Sequence, residues 1–252
     1  MTEESSALAD YSPRASDEKL ISNIAEQVRI ATWRTRHSYE YPWLRRGYML
    51  QFREIEYAVL EELRHCTGGS LAGRKILDIG CGVGGWIREF VKWGADPESL
   101  YGIDAIADRL EEARRLSPSG VHFICGNAAR MEFPDGFFDL IMMFQSMCLM
   151  LEDNARQMVA RQALRVLKPG GAILLYDYRY RRPQLGDVLR PVSKREIKRL
   201  FPSCRYRIRA IHPFPPLARR LAAVSPLGWK MLNLFPPLRT SYFGSIQKPF
   251  AS

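Results

Sequence analysis

The stretch that decides the fold class is Lys75-Ile-Leu-Asp-Ile-Gly-Cys-Gly-Val-Gly-Gly-Trp86, in which a short apolar run leads into a glycine-rich loop. The run at 76–79 has the length of a buried strand, and residues 86–91 begin an amphipathic helix. Glycines let the backbone turn with positive φ and approach a ligand closely. The helix start adds unpaired N–H groups at the same point. The stretch therefore predicts a strand, turn and helix that form a nucleotide-type site in a parallel sheet.

The glycine loop alone does not identify a ligand. Gly80, Gly82 and Gly85 satisfy the dinucleotide fingerprint, and an acidic residue, Asp104, follows a little over twenty positions later. NAD is one alternative, and a tight turn without a ligand is another. Asp78, inside the first predicted strand, can accept hydrogen bonds from a ligand ammonium group or an ordered water, and an NAD enzyme is not expected to need it.

The next two predicted strands end in side chains that suit a nucleoside. Leu100-Tyr-Gly-Ile-Asp104 ends in a carboxylate that can accept hydrogen bonds from both hydroxyls of a ribose. Val121-His-Phe-Ile-Cys-Gly126 is followed by Asn127 and Ala128, which can contact an adenine edge. A pocket wall, a ribose anchor and an adenine contact thus occur in order, one per strand.

In these residues the chain resembles the class I S-adenosylmethionine-dependent methyltransferases, in the branch that includes small-molecule and ubiquinone or menaquinone biosynthesis enzymes. The matching segments are Leu77-Asp-Ile-Gly-Cys-Gly-Val-Gly84, Gly102-Ile-Asp104, Gly126-Asn-Ala128, Phe138-Asp-Leu-Ile-Met142 and Val166-Leu-Lys-Pro-Gly-Gly171. The first and last segments are specific, and the middle ones gain weight from their order.

The resemblance implies S-adenosylmethionine as the cofactor, with Asp78 near its amino group and Asp104 on its ribose. Asn127 stands where family members often carry Asp, but an amide can still donate and accept at adenine. Cys81 is interpreted as a small residue that fills the loop. The cofactor residues predicted up to this point are Asp78, Gly80, Cys81, Gly82, Gly84, Asp104, Ala105, Asn127 and Ala128.

Composition excludes several classes of protein. With 252 residues and 46% apolar content, the chain can form one domain with a sizeable core. No run reaches the roughly 18–20 apolar residues of a membrane span, and the first residues lack the charge pattern of a signal peptide. The five cysteines are scattered without a Cys-x-x-Cys pair, which argues for reduced thiols and against a zinc site. We expect a cytoplasmic enzyme without a metal.

The formal charge of +10 is unevenly distributed. From Arg179 to the C-terminus there are 16 Lys and Arg against 2 Asp and Glu, a local +14, so the remainder has 21 against 25, or −4. Three interpretations stay open: a solvated basic face, attraction to an anionic acceptor or membrane surface, and nucleic-acid binding. Trp229, Phe235 and many leucines among the basic residues suit lipid headgroups. Nucleic acid is the least favoured partner because no separate RNA-binding module is visible.

The order of elements predicts an α/β fold, namely a Rossmann-like, doubly wound sheet of seven strands, mostly parallel, with an antiparallel last strand. Strands are predicted near 75–79, 99–103, 121–125, 138–144, 171–178, 205–211 and 240–247, and helices near 85–93, 106–115, 153–167 and 193–200. The last helix opens with a capping box, Ser193 and Glu196. The short crossovers imply parallel, right-handed connections, and the family resemblance implies the antiparallel C-terminal hairpin.

Three segments lie outside this core. Residues 1–17 are polar and predicted to be disordered, and residues 18–68 are predicted to form an N-terminal helical cap with helices near 18–30 and 50–64. The methyltransferase domain then spans 69–252. Within it, residues 216–236 form a predicted helical insertion, which could act as a lid over the acceptor, a contact in a homodimer, or an interfacial anchor.

The acceptor is expected beyond the carboxyl ends of the strands, because ligands of open α/β sheets lie there. The end of the fourth strand, 143–147, should face the methyl group, with Phe144 and Gln145 as cofactor contacts. The end of the fifth, 177–180, should face the acceptor. The aromatic residues between 33 and 48 are interpreted either as core or as a cap over the cleft. The predicted acceptor-pocket residues are Trp33, Tyr39, Tyr48, Ser146, Tyr178 and Tyr180.

The sequence does not identify a catalytic base, and a base helps only if the acceptor must lose a proton. The candidates are His37, Asp177 and His212, each of which can equally be a structural residue. We expect O- or C-methylation of a small molecule in specialised or cell-envelope metabolism. The alternatives are a lipid-linked or quinone-like acceptor at a membrane surface, RNA, or a binding or scaffold protein that keeps the fold without turnover.

Overall fold

The computed structural model describes residues 26, 46–181, 187–213, 217, 218, 220, 221 and 225–250. The strands are β1 (Ile76–Ile79), β2 (Leu100–Asp104), β3 (His122–Cys125), β4 (Phe138–Phe144), β5 (Leu167–Tyr178), β6 (Arg205–Pro213) and β7 (Arg239–Gln247). The helices are α1 (Arg46–Thr67), α2 (Gly85–Lys92), α3 (Ala107–Leu116), α4 (Asp153–Val166), α5 (Lys194–Leu200) and α6 (Pro226–Asn233).

The seven strands form one sheet in the order β3-β2-β1-β4-β5-β7-β6. Strands β1 to β5 pair in parallel, and β7 is antiparallel to both β5 and β6. This confirms the predicted Rossmann-like sheet with its antiparallel last strand. Because β7 runs against both neighbours, β6 points the same way as β5. The carboxyl ends of β4, β5 and β6 therefore lie at the same edge of the sheet, which we call the carboxyl edge.

The two faces of the sheet form two hydrophobic cores, because successive residues of a strand point to opposite faces. In β1, Ile76 faces one core and Leu77 the other, and all four residues of the strand are buried. Helices α4 and α5 cover the first face, and α1, α2 and α3 cover the second. A strand that is apolar on both faces is typical of a parallel sheet covered on both sides, as the run at 76–79 predicts.

Helix α1 is fastened to β6 and β7 by ionic contacts. Glu62 is 1% exposed and accepts hydrogen bonds from Arg207 Nε at 2.9 Å and from Ser245 Oγ at 2.9 Å. One residue earlier, Glu61 pairs with Arg209. Later positions of α1 thus meet earlier positions of β6, so the helix runs antiparallel to the strand. Its first turns consequently lie at the carboxyl edge.

Three element boundaries differ from the sequence prediction. Strand β5 begins at Leu167 rather than near 171, because Leu167 already pairs with Phe138 before a register shift. Helix α1 (Arg46–Thr67) is longer at both ends than the helix predicted near 50–64. In the helical insertion predicted over 216–236, residues 217, 218, 220 and 221 are helical, and a separate helix begins at Pro226, since Ser225 caps it by accepting a hydrogen bond from the Leu227 N–H at 3.2 Å. The predictions for 1–17 and 18–30 lie outside the described residues, apart from a helical Glu26. None of the described helices is long and apolar enough to cross a membrane.

Candidate functional site

The glycine loop after β1 is shaped by backbone conformations that favour glycine. Gly80, Gly82 and Gly84 have φ of 78°, 55° and 72°. The Gly80 N–H donates to the Ile103 carbonyl of β2 at 2.8 Å, which holds the loop against the neighbouring strand. A Cβ atom at Gly80 would lie 2.8 Å from Cβ of Ser146, the second residue after β4. The loop after β1 and the loop after β4 therefore touch at a position where only glycine fits.

Asp104 joins the loops that follow β1 and β2. Its Oδ2 accepts a hydrogen bond from the Gly82 N–H at 2.8 Å, and its Oδ1 accepts one from the Ile106 N–H at 3.0 Å. The side chain is 8% exposed at the carboxyl ends of the strands. A carboxylate oxygen can accept more than one hydrogen bond, so this geometry suits a ribose anchor. Ala105, the next residue, is partly buried.

Asp78 is a buried carboxyl group of β1, 3% exposed. Burial, and secondarily the charge of Asp104, raises the pKa of Asp78 to about 8. The same two effects raise the pKa of the Cys81 thiol well above its ordinary value: burial first, then the carboxylates of Asp78 and Asp104. A protonated thiol is a poor nucleophile, which supports Cys81 as a filling residue. A ligand ammonium group beside Asp78 would stabilise its carboxylate, so the site fits the amino group of S-adenosylmethionine.

Arg109 of α3 is a residue of this site that sequence reasoning missed. A Cβ atom at Gly82 would lie 2.8 Å from the guanidinium carbon of Arg109. The guanidinium group therefore covers the glycine loop from the side of α3. The only signal in the sequence was a basic residue five positions after the ribose-type carboxylate, and arginine is too common at helix surfaces for that spacing to be informative.

The turn after β3 is stabilised by Asn127. Its side-chain oxygen accepts a hydrogen bond from the Ala129 N–H at 2.9 Å, and its carbonyl accepts one from the Arg130 N–H at 2.8 Å. Asn127 is buried and Ala128 is partly buried. The predicted adenine contacts thus lie on the loop after β3, next in the sheet to the loop that carries Asp104, and Asn127 also determines the shape of its own turn.

The end of β4 lies beside the glycine loop. Gln145 has φ 55°, uncommon for a residue other than glycine, and its N–H donates to the Tyr176 carbonyl at 2.6 Å. Ser146 is 6% exposed, and its Oγ has no hydrogen-bond partner among the described residues. The Phe144 ring lies 5.0 Å from the Trp86 ring, centroid to centroid. The structure therefore brings the end of β4, with Phe144, Gln145 and Ser146, beside the glycine loop and the start of α2.

Asp177, a candidate base at the end of β5, is fully buried. Its Oδ1 accepts a hydrogen bond from the Tyr178 N–H at 2.7 Å and its Oδ2 accepts one from the Cys148 N–H at 3.0 Å. Burial raises the pKa of Asp177 to about 6, although these hydrogen bonds act in the opposite direction. Because both oxygens are engaged by backbone donors, the geometry favours a structural role that ties β5 to the loop after β4.

Three of the predicted aromatic pocket residues, Tyr48, Tyr178 and Tyr180, lie among the described residues. Tyr178 packs with Cys148 and Leu189. Tyr180 is 42% exposed, and its hydroxyl donates to the Pro237 carbonyl at 3.3 Å. Tyr48 is half-buried on α1. The remaining predicted residues, Trp33, Tyr39 and the candidate base His37, lie outside the described residues.

His212 lies near the end of β6 with no exposed surface and with φ 62°. Glu54 of α1 faces it: the His212 N–H donates to Glu54 Oε1 at 3.3 Å, and His212 Nδ1 lies 3.2 Å from Glu54 Oε2. Two side chains of α6 also donate to Glu54, Trp229 Nε1 at 3.1 Å and Asn233 Nδ2 at 2.7 Å. Glu54, which the sequence analysis did not single out, therefore links the N-terminal helix, the end of β6 and the insertion helix.

The sheet order, the glycine loop and the two carboxylates define a nucleoside-binding α/β domain. Residues 76–171 match the protein family described as "Methyltransferase domain". This segment has the fold and the motifs of the class I S-adenosylmethionine-dependent methyltransferases, whose cofactor is S-adenosylmethionine.

Known proteins are similar over the same region. The sterol 24-C-methyltransferase of Aspergillus fumigatus is 29% identical over 181 residues, which cover 65% of this chain and 46% of that protein. The ubiquinone/menaquinone biosynthesis C-methyltransferase UbiE of Vibrio parahaemolyticus is 33% identical over 131 residues, or 50% of this chain and 47% of that protein. The chain thus matches less than half the length of these relatives. A crystal structure of a methyltransferase from Archaeoglobus fulgidus superposes with a TM-score of 0.56 at 17% identity, covering 83% of this chain and all of that one, and so shares the fold.

Proposed function

We propose that this chain transfers the methyl group of S-adenosylmethionine to an oxygen or carbon atom of a small-molecule acceptor. The observation that carries the proposal is the contact between Gly80 and Ser146, which joins the loops after β1 and β4. Asp78 and Asp104 lie on the same face of the sheet, next to this contact. When bound, S-adenosylmethionine supplies a methyl group that its sulfonium already activates. The work of the chain is then alignment and exclusion of water, a contribution that can reach ~7–11 kcal/mol.

Asp78, Asp104 and Arg109 each have a defined task in this proposal. The buried carboxylate of Asp78 binds the ammonium group, and Asp104 binds the ribose while it holds the glycine loop closed through the Gly82 N–H. Arg109 covers the loop from α3. One relative named above is a sterol 24-C-methyltransferase and the other is a C-methyltransferase of ubiquinone/menaquinone biosynthesis, which supports an acceptor with a large apolar portion. The five free thiols support a reducing, cytoplasmic setting for the reaction.

Calorimetric titration with S-adenosylmethionine and with NAD tests the cofactor. We expect heat with the first ligand only, and an affinity weakened by about tenfold or more in Asp104→Ala, because charge-assisted hydrogen bonds are lost. Asp108→Ala, an exposed carboxylate on α3, is the matched control and should bind normally. Absence of binding to S-adenosylmethionine, or equal affinities of the two variants, would reject the assignment. Transfer of a labelled methyl group from S-adenosylmethionine to a component of a lipid extract would show turnover, whereas a scaffold protein would transfer none.

A second candidate places the reaction at a membrane surface and draws a lipid-linked or quinone-like acceptor from it. Helix α6 presents an apolar stripe to solvent: Leu227, Met231 and the following Leu234 are 61%, 56% and 75% exposed. The spacing i, i+4, i+7 puts them on one face, whereas Trp229 on the other side is 4% exposed and packs toward α1. Exposed Lys230 adds a positive charge. An apolar face beside a cation suits anionic lipid.

Co-sedimentation with vesicles of phosphatidylcholine, with or without phosphatidylglycerol, tests this candidate. We expect binding to the anionic vesicles, reduced at least about tenfold in the double variant Leu227→Ser/Leu234→Ser, because each buried leucine contributes about 1.5–3 kcal/mol. The double variant Leu60→Ser/Leu116→Ser removes two leucines that are 39% and 43% exposed elsewhere and serves as the control. Equal sedimentation of both double variants would exclude α6 as the contact.

A further inference from the structure

Buried polar atoms without partners collect at the carboxyl edge. In the part of the chain that the structure describes, four buried side-chain polar atoms have no hydrogen-bond partner, namely Ser146 Oγ, His212 Nε2, Asn233 Oδ1 and Ser241 Oγ. Ser146 follows β4, His212 lies near the end of β6, Asn233 ends α6, and Ser241 pairs with Tyr178 at the end of β5. Buried polar groups without partners are rare in native proteins, and each calls for an explanation such as a bound water, an ion or a catalytic role. The region next to the cofactor site therefore suits a polar group of the acceptor.

Among these atoms, Nε2 of His212 lies on the side of the ring opposite to a carboxylate. Glu54 Oε2 lies 3.2 Å from Nδ1, so a neutral ring that donates its Nδ1–H to Glu54 keeps its lone pair on Nε2. Burial raises the pKa of Glu54, but the hydrogen bonds from His212 and Asn233 and the attraction of a protonated His212 ring lower it below its ordinary value. Glu54 therefore suits both states of the ring, because it can accept the Nδ1–H of the neutral imidazole and stabilise the protonated one.

The backbone of His212 is held in a conformation of higher energy. Its φ of 62° lies in the left-handed region, which costs free energy for a residue other than glycine. Glu54 maintains it by accepting the backbone N–H as well as facing the ring. Such strained residues cluster at functional sites.

A row of rings connects His212 with the glycine loop. The His212 ring lies 5.6 Å from the Tyr176 ring at 84°, Tyr176 lies 6.2 Å from Phe144, and Phe144 lies 5.0 Å from Trp86, the second residue of α2. All four positions are at or near the carboxyl edge. Phe144, Tyr176 and His212 are buried in this row, so an acceptor hydroxyl would have to enter the packing at the carboxyl edge to reach Nε2. Among the described residues, the titratable groups that face His212 are Glu54 of α1 and Tyr176 of β5, while α6 contributes the uncharged Trp229 and Asn233 through Glu54.

We propose that Nε2 of His212 is a catalytic base that accepts the proton of an acceptor hydroxyl group, with Glu54 as its positioning residue, and that the acceptor is a phenol or hydroquinone. This inference rests on the proposed methyltransferase function. The O–H bond breaks, the proton goes to Nε2, and the electron pair stays on the acceptor oxygen. That oxygen, or the ring carbon beside it, forms the bond to the methyl carbon while the sulfur–methyl bond breaks. If carbon is methylated, its own proton leaves to water as the ring regains aromaticity.

Binding of 4-nitrophenol to the full chain loaded with S-adenosylhomocysteine tests the proposal, because the phenolate absorbs at a longer wavelength than the phenol. We expect the ionisation constant of the bound phenol to be raised about tenfold or more over that in solution, a shift of one pKa unit. His212→Asn should abolish the shift, and asparagine tolerates a positive φ, so the fold should be kept. Glu54→Gln should reduce it. His65→Asn, at an exposed histidine of α1, is the matched control and should behave as the wild type.

Nitrogen NMR of His212 gives a second, acceptor-independent measurement. We expect the ring to be protonated on Nδ1 and unprotonated on Nε2 at neutral pH, and the Nδ1–H signal to weaken in Glu54→Gln. A wild type that binds S-adenosylhomocysteine without ionising the phenol would overturn the proposal. So would an unchanged shift in His212→Asn, or a proton on Nε2. Failure to bind S-adenosylhomocysteine at all would instead reject the proposed function.

Discussion

The cofactor half and the acceptor half of the carboxyl edge are built in different ways. In the cofactor half, Asp78, Gly82 and Asp104 belong to short motifs, and the contacts that organise them join backbone N–H groups to a carboxylate. In the acceptor half, Glu54 meets His212, Trp229 and Asn233 across 158, 175 and 179 positions of sequence. The first half needs only neighbouring strands to form, whereas the second needs the whole fold.

The two halves also use positive φ differently. The cofactor loop places glycines at its left-handed positions, which costs little. The acceptor half places Gln145 and His212 there and so retains side chains at strained positions. A loop around a nucleoside needs a backbone that can approach the ligand closely. Contact with an acceptor instead needs a side chain that is held in one orientation.

The largest effect is expected where the two halves touch. In Gly80→Ala, the added Cβ would lie 2.8 Å from Cβ of Ser146 and would occupy φ 78°. Strain and overpacking of this kind together amount to about 3 kcal/mol, so we expect affinity for S-adenosylmethionine to fall about 100-fold in calorimetry. Gly85→Ala is the control, because no atom lies within 4 Å of its added Cβ. Similar affinities in both variants would mean that the loops do not depend on each other.

A smaller effect is expected from the protonation of Asp78. Because the pKa of Asp78 is raised to about 8, this carboxyl group is protonated at neutral pH in the ligand-free chain. The stability that the protonated carboxyl group contributes is lost as the pH rises toward 8. Binding an ammonium group requires the carboxylate. Affinity for S-adenosylmethionine should therefore rise by up to about tenfold per pH unit between pH 5.5 and 7. Asp78→Asn should bind more weakly and without this slope, and an equal slope in the variant would assign the pH dependence to another group.

The smallest effect concerns the helix that carries Glu54. Removing Glu62, 1% exposed, leaves Ser245 and Arg207 without their partner, and Glu62→Ala should lower the free energy of unfolding by about 1–3 kcal/mol. Glu61→Ala, at a more exposed ion pair with Arg209, should cost less than about 1 kcal/mol. Denaturant unfolding of both variants measures the difference. Equal losses would show that α1 is held mainly by its apolar face.

Much of the fold followed from local pattern. The strands β1 to β4 and the helices α2 to α4 lie within a few residues of their predicted positions, because apolar periodicity and glycine turns are local signals. Arg109 and Glu54 escaped prediction for the opposite reason. Each is an ordinary charged residue of a helix until the fold places it over Gly82 or beside His212. Within the predicted helical insertion, helical residues occur on both sides of Ser225, which caps the start of α6.

By itself the sequence determined the sheet, the glycine loop and the cofactor family, because residues close in sequence carry all three. Only the tertiary structure decided that Ser146 lies against Gly80 and that a buried ring nitrogen of His212 has no hydrogen-bond partner among the described residues, between Glu54 and a row of rings. The physical reason is the reach of the interactions. Hydrophobic periodicity and turn geometry act over a few residues, whereas a buried hydrogen-bond network acts through space and joins residues whose separation along the chain is arbitrary.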